Sequence, residues 1–181
     1  APDATAAGAL TFFHASQGKP LATPWQVALA RSNLLTQLSL PDGYILDCAC
    51  GSGIQLGAHM ALLQRPGIGV ELDAMRAQAS AVNLQSIAIY RNERDSARMQ
   101  NTRIIAGDGR DGAVICAAIA DHLKLERFPN IALLHLDPAR PRNSRTHGLE
   151  EMAPRLDEVF TWWTPYLAAG KNGPALLLDL S

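Results

Sequence analysis

At 181 residues, with 48% hydrophobic side chains, the chain is long enough for one domain with a substantial core. A formal net charge of −1 and a pI near 6.6 exclude the basic balance of a self-sufficient nucleic-acid binder, so any grip on a nucleic acid is local or supplied by another domain. No apolar run approaches the ~20 residues of a membrane helix, the opening stretch lacks a signal-peptide pattern, and three cysteines, an odd number, fit a reducing compartment, so the expectation is a cytoplasmic protein without membrane contact.

The residues before Thr23, rich in Ala and Gly, predict no clear element. Thr23-Pro24 reads as a helix start, with Thr as N-cap and Pro as the first helical residue. Val27, Leu34, Leu35 and Leu38 then form an apolar stripe expected to cover the sheet or one side of a cofactor pocket. Residues 1–43 are therefore an N-terminal helical segment, ahead of a cofactor-binding domain over residues 44–181.

Tyr44-Ile45-Leu46-Asp47 predicts a buried parallel strand, and Cys48-Ala49-Cys50-Gly51-Ser52-Gly53 a tight turn in which glycines permit close approach of a ligand. Leu56, Met60 and Leu63 then repeat at helical spacing, completing the first half of a βαβ unit. A dinucleotide pyrophosphate wants a bare helix N-terminus. S-adenosylmethionine brings an ammonium and a sulfonium, which welcome a carboxylate. Asp47 stands four residues before Gly51, and Gly51, Gly53 and Gly57 are spaced GxGxxxG rather than GxGxxG, which favours the second cofactor over the first.

The second strand, Ile68-Gly69-Val70, ends at Glu71-Leu72-Asp73. Glu71 lies 18 residues beyond Gly53, where an acid can accept both ribose hydroxyls. The competing task for Glu71 is capping the helix that starts near Ala74. A third strand over residues 102–105 leads to Asp108, a candidate for the adenine amine or else an Asx-turn before the helix at 113–123. The fourth strand, over residues 131–136, delivers Asp137-Pro138-Ala139-Arg140, where Pro138 ends the ladder and Asp137 stands beside the place a methyl group would leave. Acids at successive strand ends of an open α/β sheet are where ligands bind.

With Asp47 to Gly53, Glu71, Asp108 and Asp137-Pro138 in place, the chain resembles the class I S-adenosylmethionine-dependent methyltransferases over residues 45–181. Asp137-Pro138-Ala139-Arg140, Pro154 and the closing Leu178-Asp179-Leu180-Ser181 look closest to RNA methyltransferases that carry a THUMP-like domain after the catalytic one. The resemblance implies a Rossmann-like doubly wound α/β fold, with a mostly parallel sheet and helices on both faces. It also implies S-adenosyl-L-methionine as cofactor, held by Asp47, Cys48, Ala49, Gly51, Gly53, Glu71, Leu72, Asp108 and Gly109. Asp137 would be the catalytic residue, and Pro138, Arg140, Arg142 and Arg145 would meet an RNA substrate. Enzymes of this superfamily that methylate exocyclic base amines usually show an acid or Asn, two prolines and an aromatic here. This chain has Ala139 and Arg140 instead, so the target atom stays open.

Arg140, Arg142, Arg145 and His147 read either as a hold on an RNA backbone or as a solvated loop. Arg91, Arg94, Arg98 and Arg103 alternate with Glu93 and Asp95, and the spacing of 94 and 98 predicts a continued helix with a solvated face. Leu156, Val159, Phe160 and Trp163 fall at core spacing on a helix from Pro154, with base stacking on Trp162 as the lesser reading. Cys48 and Cys50 read as small residues in a crowded loop and Cys116 as core. His14, His59, His122 and His135 show neither ligand spacing nor a partnered acid, and no metal is expected. Residues 175–178 predict a fifth parallel strand. The chain starts without Met and stops there, so the domain reads as one truncated before its last two strands. Two other functions compete: a nicotinamide-dependent oxidoreductase, and a catalytically degenerate domain of the same fold that binds RNA.

Overall fold

The computed structural model describes residues 3–4, 10–15, 22–126, 128, 130–137, 154–169, 171 and 173–179. Its centre is β3 (Tyr44–Asp47), a four-residue apolar strand buried along its whole length, as a strand covered on both faces must be. β4 (Gly67–Glu71) and β5 (Arg103–Ala106) extend the sheet on one side, and β6 (Ile131–Leu136) and β7 (Ala175–Leu178) on the other. The order is β5-β4-β3-β6-β7, with every pairing parallel. The chain leaves β3 toward β4 and later returns to β3's other side as β6. The carboxyl ends of β3 and β6 therefore flank a topological switch point, where open α/β sheets form their binding crevice.

Helices cover both faces because the strands offer apolar side chains to both. On one face Ile45 and Leu133 pack with Leu35 of α1 (Trp25–Leu35), Leu56 and Met60 of α2 (Ile54–Leu63) and Leu84 of α3 (Ala74–Tyr90). On the other, Leu46, Leu134 and Leu136 pack with Ile115, Cys116 and Ile119 of α5 (Gly112–Leu123) and with Val159 and Trp163 of α6 (Leu156–Trp163). The short α4 (Ala97–Gln100) precedes β5. Residues 54–61 of α2 are all buried, since that helix is packed by α1 and α3 as well as by the sheet. Among the described residues, no helix is long and apolar enough to cross a membrane.

Five sequence expectations are corrected. α1 forms, but Val27, Leu34 and Leu38 of the expected stripe are exposed, and the buried face is Trp25, Ala28, Ser32 and Leu35. Pro24, rather than Thr23, sits at its N-cap position. Ahead of α1, where no element was expected, β1 (Asp3–Ala4) and β2 (Thr11–Phe12) pair antiparallel, and Leu10 and Phe12 join a core with Trp25, Ala28, Ile54 and Ile87. The expected helical continuation through Arg94 and Arg98 is interrupted. α3 stops at Tyr90, Asn92 adopts a left-handed φ of 57°, and Arg98 ion-pairs with Glu93 at 2.5 Å. The fifth correction concerns the histidines and belongs to the site.

Candidate active site

The loop after β3 is shaped by two left-handed glycines, Gly51 (φ 53°) and Gly53 (φ 75°), conformations an L side chain rarely adopts. It is also held from outside. Glu71, 6% exposed at the end of β4, accepts the Gly51 N–H through Oε2 at 3.1 Å. Its Oε1 accepts the Asp73 N–H at 3.0 Å and lies 3.2 Å from Nε of Arg76. The capping task foreseen as an alternative for Glu71 falls to Asp73, which accepts the Arg76 N–H at 2.8 Å. Glu71 instead binds two loops together, and with three donors on a carboxylate that has about four lone pairs it keeps about one free. Leu72 beside it is 74% exposed.

Asp47, only 2% exposed, accepts the Ala49 N–H through Oδ1 at 3.2 Å. Cys48 and Cys50 are buried, and burial pushes the Cys48 thiol well up, which leaves it inert. Next to this loop, Phe13, His14, Ala15, Ala22, Gly51, Ser52, Arg76 and Ala79 line an open cleft. One buried side chain ties its walls together. Asn83 of α3 accepts the Phe13 N–H at 2.7 Å, donates to the Phe13 carbonyl at 2.9 Å and donates to the Ser52 carbonyl at 2.8 Å. Sequence reasoning missed Asn83, since an isolated Asn inside an amphipathic helix carries no spacing signal.

Asp108, after β5, is engaged by its neighbour. Arg110 donates to it from the backbone at 2.9 Å, from Nε at 3.0 Å and from Nη2 at 2.7 Å, and reaches Glu158 through Nη1 at 2.8 Å. The Arg110 hydrogen bonds hold the Asp108 carboxyl below its ordinary value. The backbone contact is the Asx arrangement foreseen as the alternative to ligand binding. Gly109 packs so tightly that a Cβ there would collide with the Cys48 carbonyl, and Trp163 Nε1 donates to the Gly109 carbonyl at 2.7 Å. Gly109 thus holds the β3 and β5 loops in contact.

At the ends of β6 and β7 lies a polar layer. Asp47 and His135 are register partners across β3 and β6, and His135 Nδ1 stands 3.5 Å from Asp47 Oδ2. His135, assigned no acid from sequence, therefore has one, supplied by strand pairing rather than by spacing along the chain. Its ring is 1% exposed. Burial works against its charge, but Asp47, with Asp137 behind it, holds its pKa above the ordinary value. His59 of α2 meets it edge-on, ring centres 5.0 Å apart, and burial, with His135 nearby, drives the His59 pKa down to about 3. Ser32 Oγ lies 2.8 Å from His59 Nδ1, and Gln55 Nε2 donates to Ser32 Oγ at 3.3 Å. Arg31 ion-pairs with Asp179 at 2.5 Å. Half-buried Asp137 has its pKa raised, first by burial and then by the Asp179 carboxylate. Pro138, Ala139, Arg140, Arg142, Arg145 and His147 lie outside the described residues.

No protein-family model and no curated protein matches the sequence. Solved structures do. The chain superposes on yhhF of Escherichia coli, described as a candidate methyltransferase, with a TM-score of 0.50 at 15% identity, covering 91% of this chain and 68% of that one. TrmN from Thermus thermophilus gives a TM-score of 0.51 at 19% identity, covering 86% of this chain and 38% of that one. At these identities both are likenesses of fold, and the fold is the Rossmann-like α/β sheet with helices on both faces.

Proposed function

We propose that this chain is an S-adenosylmethionine-dependent methyltransferase domain that acts on RNA. The observation that carries the reading is the pairing of a buried carboxylate at the end of β3 with a second at the end of β4, the latter bonded to the glycine loop between them.

The residues fit that cofactor by the donor set they present. Asp47 offers a desolvated carboxylate to an ammonium. Glu71 keeps acceptor capacity for ribose hydroxyls, and Leu72 offers an exposed apolar surface to a base. The desolvated Asp47 carboxylate would repel a pyrophosphate, which argues against a dinucleotide, whereas an acid at the Glu71 position suits the ribose of either cofactor. When bound, S-adenosylmethionine supplies a methyl group already activated by its sulfonium. The protein's part is then alignment and the handling of a proton. Burial and Asp179 raise the proton affinity of Asp137, which makes it a better general base for an incoming N–H or O–H than an exposed carboxylate would be. Arg140, Arg142 and Arg145, together with Pro138, would hold the RNA, as the family resemblance implies.

A degenerate, RNA-binding role has one observation in its favour: the Arg110 fork occupies the Asp108 carboxylate meant for adenine. Calorimetric titration with S-adenosylmethionine and separately with NAD, on the wild type and on Glu71→Ala, distinguishes the readings. Binding of S-adenosylmethionine that Glu71→Ala weakens at least tenfold, followed by methyl transfer to total RNA, is the expected result. Binding of NAD alone overturns it. RNA binding without cofactor binding indicates the degenerate role.

A further inference from the structure

His59 and His135 are buried titratable groups to which the mechanism above gives no task. They belong to the polar layer between the sheet and the helices α1 and α2, and the hydrogen bonds there fix which of them can titrate. Ser32 donates to the Ala28 carbonyl at 2.8 Å, so its oxygen accepts from Gln55 and from His59. That places the His59 proton on Nδ1, and the deep burial of the ring keeps it neutral. His135 is different. Its Nδ1 faces Asp47 at 3.5 Å, the separation of an ion pair rather than of a good hydrogen bond, and neither ring nitrogen has a hydrogen bond among the described residues.

The groups around His135 come from every element packed on it. β3 contributes Asp47 and the end of β6 contributes Asp137, both favouring the imidazolium. α1 contributes Arg31, which opposes it, and α2 contributes the neutral His59. From β7 the register neighbour is apolar Leu177. Asp47, 3.5 Å away, favours the imidazolium form of His135, and that form is the cation facing the buried carboxylate.

We propose that His135 is a positioning residue whose proton is exchanged for the cofactor's ammonium: when Asp47 takes that ammonium, His135 releases its proton to solvent. The inference rests on the cofactor reading above. One N–H bond of the imidazolium breaks, the electron pair stays on the ring nitrogen, and the proton passes to buffer, so one positive charge replaces another beside one carboxylate. Two cations on a single buried carboxylate would repel each other, and a like charge at such range disfavours the second charged form. Linkage then requires affinity to rise with pH, by up to tenfold per unit, until free His135 is itself neutral.

Calorimetry in buffers of different ionisation enthalpy counts the proton. At pH 6.5 the wild-type chain should release a measurable fraction of a proton, up to one, on binding S-adenosylmethionine, and likewise S-adenosylhomocysteine, which keeps the ammonium and lacks the sulfonium. Methylthioadenosine, which lacks the ammonium, should bind with none released. His135→Gln should bind without release and with affinity independent of pH between 6 and 8. Should that variant not fold, ring-nitrogen NMR on the wild type replaces it, with the His135 signals moving from imidazolium to neutral imidazole as ligand is added. Binding with no proton exchange, or with uptake, overturns the inference while leaving the cofactor reading intact. If neither S-adenosylmethionine nor S-adenosylhomocysteine binds, the cofactor reading fails and the inference falls with it.

Discussion

The two sides of the sheet's carboxyl edge are built differently. Around β3 and β4 the polar groups are bonded in closed loops: Glu71 spans Gly51 and Asp73, Asp47 takes the Ala49 N–H, and Asn83 joins the Phe13 segment to Ser52. Around β6 and β7 they are not. His135 has no hydrogen bond to either ring nitrogen among the described residues, His59 Nε2 has none, and Asp137 is held away from its ordinary ionisation. A bonded loop can hold a ligand without reorganising, since its donors are already oriented. A layer of under-bonded, mutually coupled acids and imidazoles is suited to moving protons, because small changes in nearby charge shift where they sit. On the proposed reading, holding and proton handling are divided between the two sides of the topological switch.

The largest expected effect breaks the second side. His59, held neutral with a pKa near 3, binds a proton in the unfolded chain but not in the folded one whenever the pH lies between that value and 6.5. Its contribution to stability is therefore complete above pH 6.5 and is lost as the pH falls. Relative to His59→Gln, the wild type should lose up to about 1.4 kcal/mol per pH unit below 6.5, read from urea unfolding at a series of pH values. His135, with its pKa raised, works in the opposite sense, stabilising at low pH and losing that contribution as the pH rises through its folded value. The difference between the two chains reports His59 together with its coupling to His135.

A smaller effect tests the first side. Asn83→Ala leaves the Phe13 N–H and carbonyl and the Ser52 carbonyl without their side-chain partner, a loss of about 1–3 kcal/mol. Hydrogen exchange should quicken at residues 10–15 before it does in the sheet. Uniform acceleration across the chain would mean that Asn83 supports the core rather than the cleft. The smallest effect concerns Asp108. Its fork with Arg110 is exposed, and exposed pairs contribute little. Arg110→Ala should leave the unfolding midpoint unchanged within error, let the Asp108 carboxyl titrate closer to its ordinary value and tighten cofactor binding. Weaker binding would place Arg110 itself in the site.

Much of the first side is legible along the chain. An apolar run ending in an acid, followed by glycines, is a local pattern, and β3 and β6 fall on residues 44–47 and 131–136 as read from sequence. The second side is not. The buried face of α1 includes Ser32, because that serine hydrogen-bonds His59, and a polar residue in the buried row hides the row from any search for apolar periodicity. The β1–β2 hairpin was likewise hidden, since its anchor, Asn83, lies 70 residues from Phe13.

By itself the sequence determined the five strands of the parallel sheet, the glycine turn and the acids that follow four of those strands, because those depend on side-chain pattern over a few neighbouring residues. Only the tertiary structure decided who faces whom. Asp47 meets His135 because β3 and β6 pair in that register, and His59 meets them because α2 is pressed between α1 and the sheet. A slip of β6 by one residue against β3 would turn His135 to the opposite face of the sheet, away from Asp47 and His59.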